Sequence, residues 1–158
     1  MSPTSPSSPS PAPRDVFARQ LQTIASRSWA TLADLYADDA VVELPFNLPS
    51  PLRIEGHAQL EARGRAARDV PLELRPDNLV IHETTDPEVI VAEFDYLGRL
   101  TTSGRTFRVA NVIIARIRDG KIIASRDYHN HAVLGEVLGE LAEPLTSAPA
   151  ATTPAATT

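Results

Sequence analysis

Apolar and polar positions alternate most sharply in the C-terminal third of the chain. Residues 107–117, FRVANVIIARI, form a long apolar-rich run that is followed by Asp119-Gly120. An Asp-Gly pair between two such runs marks a two-residue hairpin, because both central positions of that turn need positive φ. A second run, residues 121–129, leaves the turn. Period two divides it into two faces. Ile123, Ser125, Asp127 and His129 share one; Ile122, Ala124, Arg126 and Tyr128 share the other. A carboxylate and an imidazole beside an aliphatic side chain are suited to line a pocket.

Upstream the period becomes helical. Phe17, Leu21 and Ile24 form one stripe behind Asp15, a candidate cap. Ser28 is placed to cap a second, short helix carrying Trp29, Leu32, Leu35 and Tyr36. Residues 37–39, Ala-Asp-Asp, break it, and residues 40–46, AVVELPF, read as a strand with Pro45 near its end. Residues 47–52 hold Pro49 and Pro51 and read as a loop. A third helix over 57–68 turns Leu60 and Ala67 inward and several arginines outward. Residues 72–83 read as a strand interrupted at Pro76-Asp77-Asn78, which predicts a bulge or bend. Residues 89–97, VIVAEFDYL, form a strong strand, with Ile90, Ala92 and Phe94 toward the pocket and Glu93 and Asp95 outward. A closing helix spans 131–141.

Helices gathered first and antiparallel strands last predict an α+β domain. Its mostly antiparallel sheet curves, and helices on the concave face close a conical pocket. The ends differ from this middle. Residues 1–13 are Ser/Pro-rich and residues 143–158 are rich in Ala, Thr and Pro. Neither offers enough apolar surface to offset ordering entropy, so both are expected to be disordered around one domain at 14–142.

Charge narrows the partners. The formal net charge is −5 with both signs interspersed, so no phosphate-binding patch and no nucleic-acid partner are expected. The absence of cysteine excludes thiol nucleophiles and thiolate metal sites. The four histidines show no helical His-x-x-x-His spacing, His129 and His131 form a two-ligand pair without a third, and no glycine-rich phosphate loop or nucleotide-cofactor motif is present, so no metal and no cofactor are expected. With no secretory signal and no apolar run near 18 residues, the expectation is a cytoplasmic protein without a membrane partner.

The order of elements, with Leu-Tyr-Ala-Asp-Asp-Ala at 35–40, Arg-Asp-Gly-Lys-Ile at 118–122 and Arg-Asp-Tyr-His-Asn at 126–130, resembles the nuclear transport factor 2-like superfamily. Within it the chain is most similar to the SnoaL-like polyketide cyclases, with the phenazine-biosynthesis condensing proteins and the ketosteroid isomerases as cousins. The resemblance implies a cystatin-like, ketosteroid-isomerase-like roll over nearly all of 14–142. It also implies an acidic last-strand residue that shuttles protons, a place occupied by Asp127. Steroid-type isomerisation is not expected, because the isomerase base matches Leu44 and its oxyanion-hole groups match Gln20 and Ile113.

The candidate catalytic set is therefore Asp127 as acid/base, assisted by His129 and by Asn111. The Asn111 amide would donate to a developing enolate oxygen. Candidate substrate-binding residues are Trp29, Tyr36, Phe46, Phe94, Val109 and Ile113, with core packing as the other reading of Trp29 and Tyr36. Asp127 has a competing role as the partner of Arg108 or Arg126. The expected function is cofactor-independent cyclisation, isomerisation or condensation of a small oxygenated, mostly apolar molecule. The alternatives are a non-catalytic small-molecule binding module and a dimeric interaction domain. The outward row Arg108, Ala110, Val112, Ile114, Arg116 is apolar at its centre, so a homodimer through the convex sheet face is expected.

Overall fold

A computed structural model describes residues 8–142. The tail expected over 1–13 is described only from residue 8, and that over 143–158 lies outside the described residues. The elements are α1 (Pro13–Ala25), α2 (Trp29–Leu32), a 3-10 turn (Ala33–Leu35), β1 (Tyr36–Leu44), β2 (Leu52–Glu55), α3 (Gly56–Arg68), β3 (Leu72–Glu83), β4 (Val89–Leu100), β5 (Thr106–Arg118), β6 (Lys121–His129) and α4 (His131–Ala142). Six strands form one sheet in the order β2-β1-β6-β5-β4-β3. All neighbours are antiparallel except β1 and β6. This is the α+β architecture that the element order predicts.

Several boundaries differ from the periodicity reading. Pro13 opens α1, where its missing N–H costs nothing. Asp15 is therefore a first-turn acid rather than a cap. The second helix is cut short, because Tyr36 already has extended backbone and begins β1. Strand β2 falls between the expected proline-rich loop and the expected third helix, where no strand was expected. Four residues pairing with β1 are too few to leave a period in the sequence.

The hairpin turn is as expected, with positive φ at both Asp119 and Gly120. Beyond it the alternation fails once. A bulge shifts the register, so that Ile117 pairs with Ile122 but Arg116 pairs with Ala124. Ile122 therefore lies fully buried on the same face as Ser125 and Asp127. Ile123, expected on that face, is the inserted residue. In β3 the Pro76-Asp77-Asn78 break is a register shift between Asp77 and Val80, with Asn78 at φ 53°.

The core lies between the concave sheet face and the helices. Phe17 and Leu21 of α1 meet Ile90, Ala92 and Phe94 of β4 and Val109, Ile113 and Ala115 of β5. Phe17 and Phe94 pack edge-on at 6.0 Å. At the far end Gly98 leaves room for the ring of its cross-strand neighbour Phe107; an added Cβ would sit 2.1 Å from that ring.

Candidate functional site

Strand register assembles the polar interior. On the concave face Phe94, Asn111 and His129 form one cross-strand row, and Ala92, Ile113 and Asp127 the next. Ile90, Ala115 and Ser125 form a third. Asp127 thus has Ile113 beside it across the sheet, with Ser125 and His129 before and after it on the same face of β6. It is 8% exposed, and neither its Oδ1 nor the buried Ser125 Oγ has a hydrogen-bond partner among the described residues. The competing ion pairs are taken elsewhere: Arg108 donates to Asp95 at 2.7 Å, and Arg126 lies 3.2 Å from Glu43. Burial pushes the Asp127 carboxyl up to about 6; the Ser125 hydroxyl, near the carboxyl but not in hydrogen-bond geometry with it, and the Arg63 charge offset part of the effect.

Asn111 fixes the state of His129. Its amide nitrogen donates to Val109 O at 2.8 Å and to Phe94 O at 3.4 Å. The reversed amide would set Oδ1 against those two carbonyl oxygens, so Oδ1 faces the ring. The Nδ1–H of His129 therefore donates to Asn111 Oδ1 at 2.6 Å. Nε2 keeps its lone pair and lies 4.0 Å from Asp127 Oδ2. Burial, then the His131 and Arg63 charges, push the His129 imidazole down to about 4, so it is neutral near pH 7. The Asn111 amide expected to meet substrate is instead committed to backbone and ring.

Two tyrosines complete the interior. Tyr36 is buried, and its hydroxyl accepts from Gln20 Nε2 at 2.7 Å, which leaves its own hydrogen free to donate. Tyr96 is buried one row beyond Phe94, and the two rings meet edge-on at 5.0 Å. Burial first and the Asp127 charge second hold Tyr96 far above the usual phenol range; the same two causes lead at Tyr36. Both are therefore neutral donors at any working pH. Gln20, placed by the isomerase comparison where a tyrosine stands, here holds the hydroxyl of another one.

Other expected residues sort by face. Phe94, Val109 and Ile113 are buried on the concave side. Trp29 is half-buried, with its indole N–H unpartnered among the described residues. Phe46 does not wall the concave interior; it lines a depression on the outer sheet face. It is 64% exposed and packs edge-on against Tyr128 at 5.2 Å on the opposite side, because β1 ends at Leu44. Glu93 and Asp95 face outward, toward His82 and toward Arg108 and Asn78.

Sequence reasoning gave no role to Tyr96, Arg63, His131 or Ser125. Tyr96 continues the parity of Ile90, Ala92 and Phe94, and Arg63 follows Leu60 by three residues, so both were within reach of the pattern. His131 stacks edge-on to His129 at 5.7 Å as α4 begins, a contact that no local period announces.

Three open depressions of about 560, 550 and 630 Å³ mark the surface, and the second reaches this cluster at Phe94, Asn111 and His129. One crosses the outer sheet face from Phe46 and Val80 to Val112 and Tyr128. The interior cluster is the candidate site nonetheless, because the displaced acidities and unpartnered buried oxygens gather there. Among the described residues no group of three His, Asp or Glu side chains is arranged to hold a metal.

Comparison with known proteins agrees with this fold. The model of the SnoaL-like domain matches residues 17–125. A PhzA/B-like protein of Pseudomonas aeruginosa, itself uncharacterised, is 31% identical over 122 residues, 77% of this chain and 84% of that one. The crystal structure of a candidate isomerase of Bacillus subtilis superposes with a TM-score of 0.73 at 24% identity, covering 80% of this chain and 91% of that one. A candidate polyketide cyclase of Pseudomonas putida gives 0.66 at 17% identity, covering 80% and 97%.

Proposed function

The chain belongs to the SnoaL-like domain family of the nuclear transport factor 2-like superfamily, and from that membership we propose that it is a cofactor-independent enzyme of proton-transfer chemistry. The observation that carries the reading is Asp127: a carboxyl on an apolar wall, without a partner at Oδ1, and poised near neutrality. Such a group takes a proton from carbon, or gives one to oxygen, at the pH where it works. Its substrate is a small oxygenated, mostly apolar molecule, and its reaction a cyclisation, isomerisation or condensation.

The other groups divide the work. Asp127 removes the proton next to a carbonyl. Tyr36 and Tyr96, as neutral phenols, donate to the oxygen on which negative charge grows. His129, held by Asn111 with Nε2 bare, accepts a hydrogen bond from protonated Asp127 or from a water between them, and so holds that proton in place. Phe94, Val109, Ile113 and Trp29 exclude solvent. Asp127 is nearly occluded, so substrate enters by displacing the side chains above it. The first turns of α4, where Val133 and Leu134 pack on the core, are the natural cover.

The protein works as a homodimer through its convex face. Val80, Val112 and Ile114 are 50%, 36% and 37% exposed on that face, where a second sheet would cover them. The test of the chemistry is proton–deuterium exchange at carbon, followed by NMR over a panel of 1,3-dicarbonyl and aryl ketone compounds. Wild type exchanges at least one of them, and Asp127→Asn binds that compound but does not exchange it. Exchange that survives in Asp127→Asn removes the mechanism. The occlusion of Asp127 favours a second reading, a binding module: both proteins would then bind alike and neither would exchange any compound.

A further inference from the structure

The sequence of α4, HAVLGEVLGELA, makes a poor helix. Gly135 and Gly139 each weaken it by about fivefold relative to alanine. Neither glycine serves packing: among the described residues nothing lies within 4 Å of a Cβ added at either position. Glu140 lies in the last turn, where the carbonyl end of a helix disfavours an acid, and no basic residue stands there to offset it. Among the described α4 side chains only Val137 is fully buried, whereas α1 buries Val16, Phe17, Gln20 and Leu21.

Contacts at its two ends hold α4 down. At its start, Asn130 joins it to β6 without a loop. The Asn130 N–H donates to Ala110 O at 3.1 Å, and its Oδ1 caps the helix by accepting from the Val133 N–H at 3.4 Å. The His131 ring stands edge-on to His129 at 5.7 Å, and Val133 and Leu134 pack on the core that includes Phe94, Val109 and Ile113. At the far end Arg105, in the loop between β4 and β5, donates to Glu140 at 2.6 Å and lies 3.6 Å from Glu136. Those two acids are one turn apart, so one guanidinium grips two successive turns. Arg105 is itself fixed, because its carbonyl accepts from the Leu100 N–H at 2.8 Å and its own N–H donates to Ser103 Oγ at 3.3 Å. A sheet loop thus supplies the cation that the last turn of the helix lacks.

We infer that α4 is a lid over the polar interior, with Asn130 as its hinge and Arg105 as its latch. This rests on the concave interior being a ligand site, as proposed above. The lid opens when Glu136 and Glu140 leave Arg105 and the helix unwinds toward Asn130, which uncovers the His129 ring and the row behind it. Exposed ion pairs are weak, so thermal motion releases the latch often. The two glycines keep the open state within reach, which gives them a role where packing gives none. Arg105 therefore sets how often the interior is open without touching substrate.

Diethyl pyrocarbonate reads the opening without any substrate. It acylates a neutral imidazole, and the bare Nε2 of His129 is reached when α4 is lifted. Peptide mass spectrometry follows His129 against the exposed His82 of the same protein. In wild type His129 reacts much more slowly than His82. Arg105→Gln, and Glu136→Gln combined with Glu140→Gln, each speed His129 by about threefold, the scale of exposed ion pairs. Gly135→Ala combined with Gly139→Ala slows it by about tenfold or more. Arg99→Gln, which removes an exposed pair with Glu73 elsewhere, changes nothing. Association rates of 2-naphthol in stopped-flow fluorescence follow the same order. A His129 that reacts as fast as His82, or at a rate indifferent to the Arg105 and glycine variants, overturns the lid and leaves the ligand site in place. Association rates that ignore the variants overturn its role as the gate. Binding of 2-naphthol by none of these proteins, with His129 still following the latch, overturns the ligand-site reading and the gate together.

Discussion

Replacing Asp127 with Asn tests whether the carboxyl is held at a cost to the fold. Its ordinary value is 3.8, and burial pushes it up to about 6. Between those values the folded protein keeps a proton that the unfolded chain has released, so stability falls as pH rises. The loss is complete above about pH 7 and amounts to roughly 3 kcal/mol, at about 1.4 kcal/mol per tenfold change in proton affinity. His129 acts in the opposite sense. Its ordinary value is 6.5, and burial pushes it down to about 4. There the unfolded chain holds the extra proton, so stability rises with pH, again by roughly 3 kcal/mol. In wild type the two slopes oppose each other and nearly cancel across the shared window.

Asp127→Asn removes the falling slope and exposes the rising one; His129→Gln does the reverse. The assay is urea unfolding of the three proteins from about pH 4 to pH 8, with equal m-values required for comparison. The expected result is an Asn variant more stable than wild type by up to about 3 kcal/mol near pH 8, with the difference vanishing near pH 4. An Asn variant less stable near pH 8 by more than about 2 kcal/mol would refute the reasoning, because it would make Asp127 a partner in a paired network.

Other outcomes follow from single contacts. Asn111→Leu releases the ring of His129 and leaves three backbone or ring partners unmet, so turnover falls by about 100-fold, while Asn111→Leu added to Asp127→Asn costs little more; a double-mutant kinetic cycle reads this coupling. Gly98→Ala drives a Cβ into the Phe107 ring and destabilises by about 1–3 kcal/mol, most of it recovered in Gly98→Ala with Phe107→Leu, as read by urea unfolding. Val112→Glu, at the centre of the exposed outer face, converts a sedimenting dimer to a monomer at micromolar concentration; a wild-type monomer there contradicts the proposed homodimer.

The sequence made the sheet and the identity of its buried faces legible wherever a strand ran long and regular. Strands β4 and β5 alternate over twelve and thirteen residues without interruption, and their burial follows that alternation almost residue by residue. Asp127 was legible for the same reason, two residues short of a strand end. Ile122 was not, because a bulge inserts one residue without changing composition, and period two cannot count through it. Phe46 was misplaced for a related reason: it lies past the end of β1, where strand parity no longer applies. The parts of the site that come from elsewhere, Tyr36 held by Gln20 and His131 stacked on His129, depend on how helices cross the sheet, and no local period encodes that crossing.

The central claim concerns one carboxyl, and it is measured most directly by ¹³C NMR titration of Asp127 in the intact protein, assigned by comparison with Asp127→Asn. The account predicts a midpoint near 6, with the His129 imidazole titrating near 4 in the same experiment. An Asp127 midpoint at or below its ordinary 3.8 would contradict it, because the carboxyl would then be stabilised as an anion and unable to act as an acid near neutrality.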